Sequence, residues 1–442
     1  MKDIKAISKY NTTVTDEEIE NGLMDDSGGI YSPDGKRLLE ISLFGINSKS
    51  SYTVKDGTEV ICDDAFMGCI SLKSIVLPKS VELIGKAPFT IGTEIVSHSD
   101  RFAVKDGLLI DLEEKRLIQC ISNEKHIEVP DTIEQIGDSA FYNCSLLKSI
   151  VLPQSIKVIG TAPFHTDNAR SYTDMKIVSH SDRFVVKDGL FIDLEEKRLI
   201  RCISSGNHIV VTDGIVSIDN NAFEGCRSLQ SIILPDSVTA IGECGFVGCE
   251  SLQSIVLSQS LASIEDWVFN GCKSLQSIVL PNSVTTIGDN AFEGCKSLQT
   301  IVLPNSLISI GDIAFARCES VQNIILPNSV THIGDCAFSG CKSLQSIVLP
   351  ELVTSIGDRA FAGCESLQTI VLPKSLTSIG DEAFFGCTSL QGIVIPDLVT
   401  SIGDSAFADC NSLQTIVVPD SVISIGYGVF TGCISLQSYI TI

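Results

Sequence analysis

A segment of 23 residues, repeated without insertion, constrains the fold more than any other feature of this sequence. The copy at residues 273–295 reads KSLQSIVLPNSVTTIGDNAFEGC, and its final cysteine recurs at the same spacing. The recurring cysteines are Cys226, Cys249, Cys272, Cys295, Cys318, Cys341, Cys364, Cys387, Cys410 and Cys433. Because so short a segment cannot bury its apolar side chains alone, the copies must stack as coils of a solenoid.

The first half of each copy predicts a short buried strand. Leu275, Ile278 and Leu280 form an L-x-x-I-x-L pattern in which apolar and polar residues alternate. Pro281 follows directly, and proline belongs at a strand end because it cannot donate a hydrogen bond to a sheet.

The second half predicts another short strand and then a corner. Val284 and Ile287 are the inward residues of this strand, and Gly288 supplies backbone freedom after it. Asp289 is expected to cap a single helical or 3₁₀ turn that carries Phe292 into the core.

These residues also carry a family resemblance. Residues 287–295, IGDNAFEGC, and the following residues fit the pattern I-G-x-x-A-F-x-G-C-x-S-L-x-x-I-x-L-P. Over roughly residues 50–442 the chain resembles the bacterial leucine-rich repeat family of BspA type. That resemblance implies binding roles, including surface adhesion and host contact. Ser258 replaces the usual proline, while Arg317 and Asp409 replace the glycine before the cysteine.

The predicted fold class is a leucine-rich repeat solenoid of 23-residue repeats, with short parallel strands, short helical or 3₁₀ turns and β-hairpin insertions in the N-terminal half. Residues 1–27 are predicted to be a polar N-terminal segment or cap, with a capping box at residues 15–18 and a short helix through about Met24. Irregular repeats with three hairpin modules are expected over residues 28–204. The regular array is expected over residues 205–442.

The hairpin modules are expected to project from the solenoid as ribs. They lie at residues 29–39, 107–118 and 189–200. The last two belong to a duplication, because residues 95–122 return almost unchanged 82 positions later. The linker at residues 165–176 is predicted to be the most mobile loop.

Charge and hydropathy exclude several function classes. The formal net charge of -23 leaves no basic stripe for nucleic acid or for an anionic membrane surface. Mean hydropathy is +0.28, yet no apolar run approaches the ~20 residues of a membrane helix, so membrane insertion is not expected. The polar start, MKDIK, predicts a cytoplasmic protein; the alternative is a secreted or cell-surface protein whose signal peptide was removed.

The 17 cysteines predict a buried column of free thiols rather than a disulfide framework. Most occupy the same repeat position, where laddered side chains point the same way, and their odd number favours a reducing compartment. No C-x-x-C pair is present, so a zinc site is not expected. No other metal or cofactor is predicted.

A column of aspartates is the strongest acidic pattern. Its members are Asp266, Asp289, Asp312, Asp335, Asp358, Asp381 and Asp404. A calcium ladder would need more oxygen ligands per coil, so helix N-caps are the preferred interpretation. Ser-His-Ser-Asp occurs at residues 97–100 and 179–182, but adjacent residues in a duplicated turn do not predict a catalytic triad. No catalytic site is predicted.

The candidate partner-binding residues form an outward stripe on the inner face of the solenoid. They comprise an aliphatic column (Val256, Val279, Val302, Ile325 and Val348), an amide column (Gln253, Gln276, Gln299 and Gln322), and Trp267. A continuous apolar and amide stripe is large enough for a partner. Equally, β-branched residues favour strands for their own sake. Trp267, the only tryptophan, fits either an interaction anchor or core filling at an irregular coil.

The predicted function is therefore a non-enzymatic scaffold that binds a protein partner through the inner face and the hairpin insertions. The alternative is a secreted or cell-surface adhesin that binds host or extracellular-matrix protein. The uncapped edge strand around residues 438–442 is expected either to be protected by a local twist or to meet another chain, in which case the chain forms a homodimer through that edge.

Overall fold

The computed structural model describes residues 11–42, 50–165 and 175–441. Within it the chain forms two compact units, Met1–Lys187 and Asp188–Ile442. Most of the linker predicted to be mobile, residues 166–174, lies outside the described residues.

Unit 1 contains a short helix and strands of two to five residues. They are α1 (Asp16–Glu20), β1 (Leu23–Met24), β2 (Gly29–Tyr31), β3 (Arg37–Ile41), β4 (Ser51–Thr53), β5 (Val60–Ile61), β6 (Ser74–Leu77), β7 (Leu83–Ile84), β8 (Glu94–Ser97), β9 (Phe102–Lys105), β10 (Leu108–Asp111), β11 (Arg116–Cys120), β12 (His126–Glu128), β13 (Gln135–Ile136), β14 (Ser149–Leu152), β15 (Val158–Ile159), β16 (Lys176–Ser179) and β17 (Phe184–Lys187). The sheets of this unit run β1-β2-β3-β5-β7, β4-β6-β8, β9-β10-β11-β13-β15 and β12-β14-β16.

Unit 2 begins with a hairpin and continues as a series of short strands. They are β18 (Leu190–Asp193), β19 (Arg198–Cys202), β20 (His208–Val210), β21 (Ser217–Ile218), β22 (Ser231–Ile233), β23 (Ala240–Ile241), β24 (Ser254–Val256), β25 (Ser263–Ile264), β26 (Ser277–Val279), β27 (Thr286–Ile287), β28 (Thr300–Val302), β29 (Ser309–Ile310), β30 (His332–Ile333), β31 (Ser346–Val348), β32 (Ser355–Ile356), β33 (Thr369–Val371), β34 (Ser378–Ile379), β35 (Gly392–Val394), β36 (Ser401–Ile402), β37 (Thr415–Val418), β38 (Ser424–Ile425) and β39 (Ser438–Thr441).

Strands one coil apart pair in parallel and in register, which confirms the predicted solenoid class. Ile278 of β26 lies opposite Ile301 of β28, and Ile287 of β27 lies opposite Ile310 of β29. Each coil thus supplies one rung to each of two strand columns, because both columns repeat at the 23-residue spacing.

The core of unit 2 is a set of stacked identical side chains. Phe315 stacks on Phe338 with ring centroids 5.5 Å apart and an angle of 8° between the planes. The same stacking continues from Phe223 to Phe430, with centroid distances of 4.7 to 6.0 Å. Leucine, isoleucine and phenylalanine columns are buried together, so each coil covers the apolar side chains of its neighbours.

The cysteine column is buried from Cys226 to Cys410 and half-buried at Cys433, and its thiols are free, as predicted. From Cys249 to Cys433 the thiols also make a hydrogen bond that the sequence did not suggest: the Cys318 S–H donates to the carbonyl oxygen of Phe292 at 3.2 Å. Cys341 repeats this contact with Phe315 at the same distance. The column therefore satisfies a backbone carbonyl of the preceding coil as well as filling space.

The predicted helical or 3₁₀ corner is wrong: in the described residues α1 is the only helix, and each corner is a run of turns. The reason is backbone conformation. Asn290 has φ of 56° and Gly294 has φ of 70°, so two left-handed residues interrupt the short segment before a helix can form.

The aspartates bridge coils instead of capping helices. Asp335 Oδ1 accepts a hydrogen bond from the backbone N–H of Asp358 at 2.8 Å, and Asp312 Oδ1 accepts one from Asp335 at 2.7 Å. This ladder also explains the preceding glycine: a Cβ on Gly357 would lie 2.3 Å from Asp335 Oδ1. Close approach, rather than the predicted backbone freedom, requires glycine there.

The hairpins form as predicted, but they do not project as ribs. β10 pairs antiparallel with β11, and β11 then pairs in parallel with β13 as an ordinary rung. All four residues of β10 are buried: Leu108, Leu109 and Ile110 are covered on both faces of the strand, and Asp111 pairs with Arg101 at 2.7 Å. The corresponding strands β3 and β19 enter the parallel sheets of their units in the same way.

The predicted capping box is present, with Thr15 Oγ1 accepting from the Glu18 N–H at 3.2 Å and Glu18 accepting from the Thr15 N–H at 3.1 Å. The helix ends at Glu20 rather than near Met24. Leu23 and Met24 instead pair antiparallel with β2, which adds an edge strand to the first sheet.

Candidate partner-binding surface

The aliphatic column predicted from the sequence lies on the surface of unit 2. The outward side chains of the strand column that contains β22, β24, β26 and β28 form a surface that we call the strand face. Its aliphatic members are 47% to 86% exposed in nine coils: Val210, Ile233, Val256, Val279, Val302, Ile325, Val348, Val371 and Val394. These residues place exposed apolar side chains at the same position of nine successive coils, and contiguous apolar surface of this kind marks interaction sites.

The alternation within each strand produces this exposure. In β26, Ser277 and Val279 point outward while Ile278 is buried. The ladder between neighbouring coils fixes the register, and a shift of one residue would exchange the two faces. The valines therefore cannot turn inward without losing the isoleucine column from the core.

The strand face is uncharged across its width. The predicted glutamines Gln253, Gln276, Gln299 and Gln322 are all exposed. Their backbone continues the ladder between coils, as Gln299 N–H donates to the Gln276 carbonyl at 2.9 Å. A hydroxyl column that sequence reasoning missed, including Ser254, Ser277 and Thr300, is exposed between the amides and the valines. Its signal was the repeated Ser or Thr before the buried isoleucine.

Charged side chains of unit 2 form rows at the corner after the cysteine column. Lys296 pairs with Glu319 at 2.9 Å, and Lys342 pairs with Glu365 at 3.1 Å. The hydrogen bond from Lys296 lowers the pKa of Glu319. These exposed pairs contribute little stability, but they place charge away from the strand face.

Trp267 does not belong to the strand face. It occupies the corner turn with φ of 61° and is 41% exposed. It lines a shallow groove of about 880 Å³ whose floor is formed by Gly271, Gly294 and Gly340. The structure thus separates Trp267 from the nine other predicted site residues.

The patterns that suggested catalysis do not assemble a site. Ser97 Oγ accepts the backbone N–H of Ser99 at 3.2 Å, and Asp100 forms an exposed ion pair with Lys79 at 2.8 Å. These are turn and surface contacts. Within the described residues, no group of three or more His, Cys, Asp or Glu side chains is arranged to hold a metal ion.

The one helix of the described residues, α1, is too short to cross a lipid bilayer. A search of curated proteins finds no match. Among solved structures, the chain is similar to a leucine-rich repeat protein from Bacteroides ovatus ATCC 8483, with 26% identity, coverage of 97% of this chain and 94% of that one, and a TM-score of 0.43.

A second similar structure is a leucine rich cell surface protein from Faecalibacterium prausnitzii A2-165, with 22% identity, coverage of 78% and 95%, and a TM-score of 0.39. A third is a leucine-rich repeat protein from Eubacterium ventriosum ATCC 27560, with 19% identity, coverage of 72% and 92%, and a TM-score of 0.45.

The repeat geometry and a family model lead to the same assignment. The model of the BspA type leucine-rich repeat region matches residues 40–99, 110–183, 200–322 and 308–437. These matches cover most of the chain, including the coils that carry the strand face. The chain belongs to the BspA type leucine-rich repeat family.

Proposed function

We propose that this chain is a non-enzymatic scaffold that binds a protein partner through the strand face. The exposed aliphatic column in nine successive coils carries the proposal. Removing that column from water would supply the driving force for association, at roughly 25 cal/mol per Å² of apolar surface before the costs of binding. The neighbouring hydroxyl and amide columns offer hydrogen bonds without a charge that must be desolvated.

Substitutions on the strand face test this proposal. The double variant Val279→Lys and Val302→Lys places two charges on exposed positions and leaves the buried isoleucines intact. Capture of partners from an extract of the native cell should fall at least about tenfold, since a buried unpaired charge costs several kcal/mol. Partners that bind the double variant as well as the wild type would refute the strand face as the binding surface.

The matched control adds the same charges to the other strand column. Thr286→Lys and Ser355→Lys lie at exposed positions of β27 and β32. This control should retain the partners, because its new charges lie outside the strand face. Loss of binding in both variants would indicate a general charge effect and would contradict the proposal.

A cytoplasmic location is part of the proposal and is supported by the free, buried cysteines. Burial raises the pKa of Cys341 and of Cys387 to about 12, so alkylation must be done in denaturant. Protein isolated from its native cell with immediate alkylation should yield all thiols reduced. Disulfides found by mass spectrometry would instead favour the secreted adhesin that binds host or matrix protein.

A further inference from the structure

An arginine begins the second strand of each hairpin module, and in two modules the structure gives it an acid partner from outside the hairpin. Arg198 Nη1 donates to Asp219 Oδ2 at 2.8 Å. Arg37 forms an ion pair with Glu18, and its Nη2 donates to the Thr13 carbonyl at 2.8 Å. A guanidinium at this position therefore meets a carboxylate beside the strand.

The middle module has the same arginine but no acid at the corresponding place. Arg116 and Arg198 are 82 residues apart in the duplication, as are Gly137 and Asp219. The backbones correspond: Gly137 N–H donates to Leu117 O at 2.8 Å, and Asp219 N–H donates to Leu199 O at 2.9 Å. Gly137 thus stands where the carboxylate of Asp219 would begin.

Within the described part of the chain, Arg116 has no acid partner from outside its own hairpin, and its side chain is 27% exposed. Its one charged partner there is Glu114, whose Oε2 lies 3.1 Å from Nε. That contact lacks hydrogen-bond geometry, and the buried Nε has no hydrogen-bond partner among the described residues. Glu114 is also shared, because Arg101 Nη2 donates to its other oxygen at 3.1 Å.

A cleft of about 580 Å³ lies beside this arginine, lined by Arg116, Gly137 and residues of β7. It exists because β7 ends its sheet: β7 pairs with β5 on one side, and no described strand pairs with the other. Beyond β7 along the chain, at Phe89, the Gln119 side chain spans the gap left by the missing strand pairing. It accepts from Phe89 N–H at 3.0 Å and donates to Phe89 O at 2.7 Å. The Gln119 amide thus takes the place of strand pairing at one end of this gap, and the cleft is the open space at the other end.

The lining of the cleft carries both signs of charge. Lys86 and Arg116 are the cations, and Asp63 and Asp138 are the acids. Each acid uses one oxygen in the coil ladder, since Asp63 Oδ1 accepts from Lys86 N–H at 2.9 Å and Asp138 Oδ1 from Thr161 N–H at 2.7 Å. Among the described residues the second oxygen of each has no hydrogen-bond partner, so it can accept from a ligand. A volume of this size is typical of small-molecule sites.

We propose that this cleft binds a small zwitterionic carboxylate, of the class of free α-amino acids. The ligand carboxylate takes the place beside Arg116 that the Asp219 side chain takes beside Arg198. The ligand ammonium group donates to the second carboxylate oxygen of Asp63 or of Asp138, the two acids of the lining. This site is independent of the strand face, which lies in unit 2.

Titration calorimetry on the full chain tests the site. Each common free amino acid is first tested individually at about 10 mM by thermal shift, and the strongest is then titrated. Its amide derivative, which lacks the carboxylate, and acetate, which lacks the ammonium group, should both bind at least about tenfold more weakly. Failure of every amino acid to bind, or equal binding of acetate, would overturn the proposal.

Two variants locate the site. Arg116→Gln removes the guanidinium, and Gly137→Asp places an acidic side chain at the position that Asp219 occupies in the third module. Both should weaken binding at least about tenfold. The second variant keeps the arginine, and a Cβ at position 137 meets its nearest atom, Leu117 O, at 3.0 Å, a contact that the third module accommodates with Asp219.

Arg227→Gln is the control, because it removes an exposed arginine that pairs with Glu250 at 3.7 Å outside the cleft. Its affinity should equal that of the wild type. Circular dichroism establishes that each variant is folded. Wild-type affinity in both Arg116→Gln and Gly137→Asp would refute the site.

Discussion

The aspartate ladder gives single residues a role in holding successive coils together. Replacing Asp335 by Ala leaves the Asp358 N–H without the acceptor it has at 2.8 Å, so we expect a loss of about 1 kcal/mol of unfolding free energy. Asp335→Asn keeps an oxygen in place and should lose much less. Thermal and urea unfolding measure both.

Asp397→Ala is the matched control, since Asp397 is exposed and outside the ladder. Its stability should be nearly unchanged. Equal losses in the Ala and Asn variants at position 335 would show that the charge, rather than the hydrogen bond, matters.

Arg317 has a left-handed backbone conformation that is unfavourable for any residue other than glycine. Its φ is 59°, whereas the neighbouring coils have Gly294 at 70° and Gly340 at 72°. A left-handed conformation costs an ordinary residue about 1 to 2 kcal/mol, and the exposed pair with Glu293 at 3.3 Å returns little of it. Arg317→Gly should therefore raise the melting temperature. Ala316→Gly, next to it at ordinary φ, should lower the melting temperature, and a decrease in both would contradict the strain.

Asp219 should make the stability of the chain depend on pH in an unusual direction. Burial raises the pKa of its carboxyl from 3.8 to about 7, against the opposing effect of Arg198. Because the folded state holds this proton more tightly, its contribution is complete below about pH 4 and is lost as pH rises through 7. The slope is at most about 1.4 kcal/mol per pH unit.

Urea unfolding of the wild type and of Asp219→Asn across this range isolates the contribution. The wild type should lose stability relative to the variant as pH rises from 4 to 7. Parallel pH profiles would show that Asp219 does not titrate there.

At the scale of the elements, the apolar periodicity of the sequence predicted the strands correctly but not the structure of the corners. The alternation around Ile278 and Ile287 predicted both strand columns because side chains in a strand alternate strictly between two faces. The corner was predicted as a helix because its polar residues resemble an N-cap. Its left-handed residues, such as Asn290, are set by contacts with the next coil, which a single coil does not encode.

The hairpins show the same limit. Their strands and turns were predicted correctly from the apolar alternation in LLID and RLIQC, but their burial was not. Whether a hairpin projects or enters the stack depends on pairing with a later coil, as β11 pairs with β13. Of the candidate sites, the strand face followed directly from the repeat. The cleft beside Arg116 became apparent only from comparing Gly137 with Asp219 across the duplication and from the position of β7, whose second side pairs with no described strand.

At the scale of the whole molecule, a solenoid whose coils contact only their neighbours should tolerate removal of one complete coil. Deleting residues 342–364 joins Cys341 to Glu365 and brings Phe338 over Phe384, in place of the present contacts of Phe361. All columns rejoin in register because the deleted length equals the 23-residue repeat. We expect a folded protein with the same circular dichroism per residue and a slightly smaller denaturant dependence, since less surface is exposed on unfolding.

Deleting residues 342–363 is the control, because it removes one residue fewer and leaves an extra residue between the columns. A shift of one residue turns buried isoleucines outward on every following strand until the register is recovered, so this variant should melt far lower or fail to fold. If both deletions were equally stable, the coils would not depend on a shared register. If the complete-coil deletion unfolded the whole chain, the stability of unit 2 would lie in long-range contacts rather than in the sum of neighbouring interfaces.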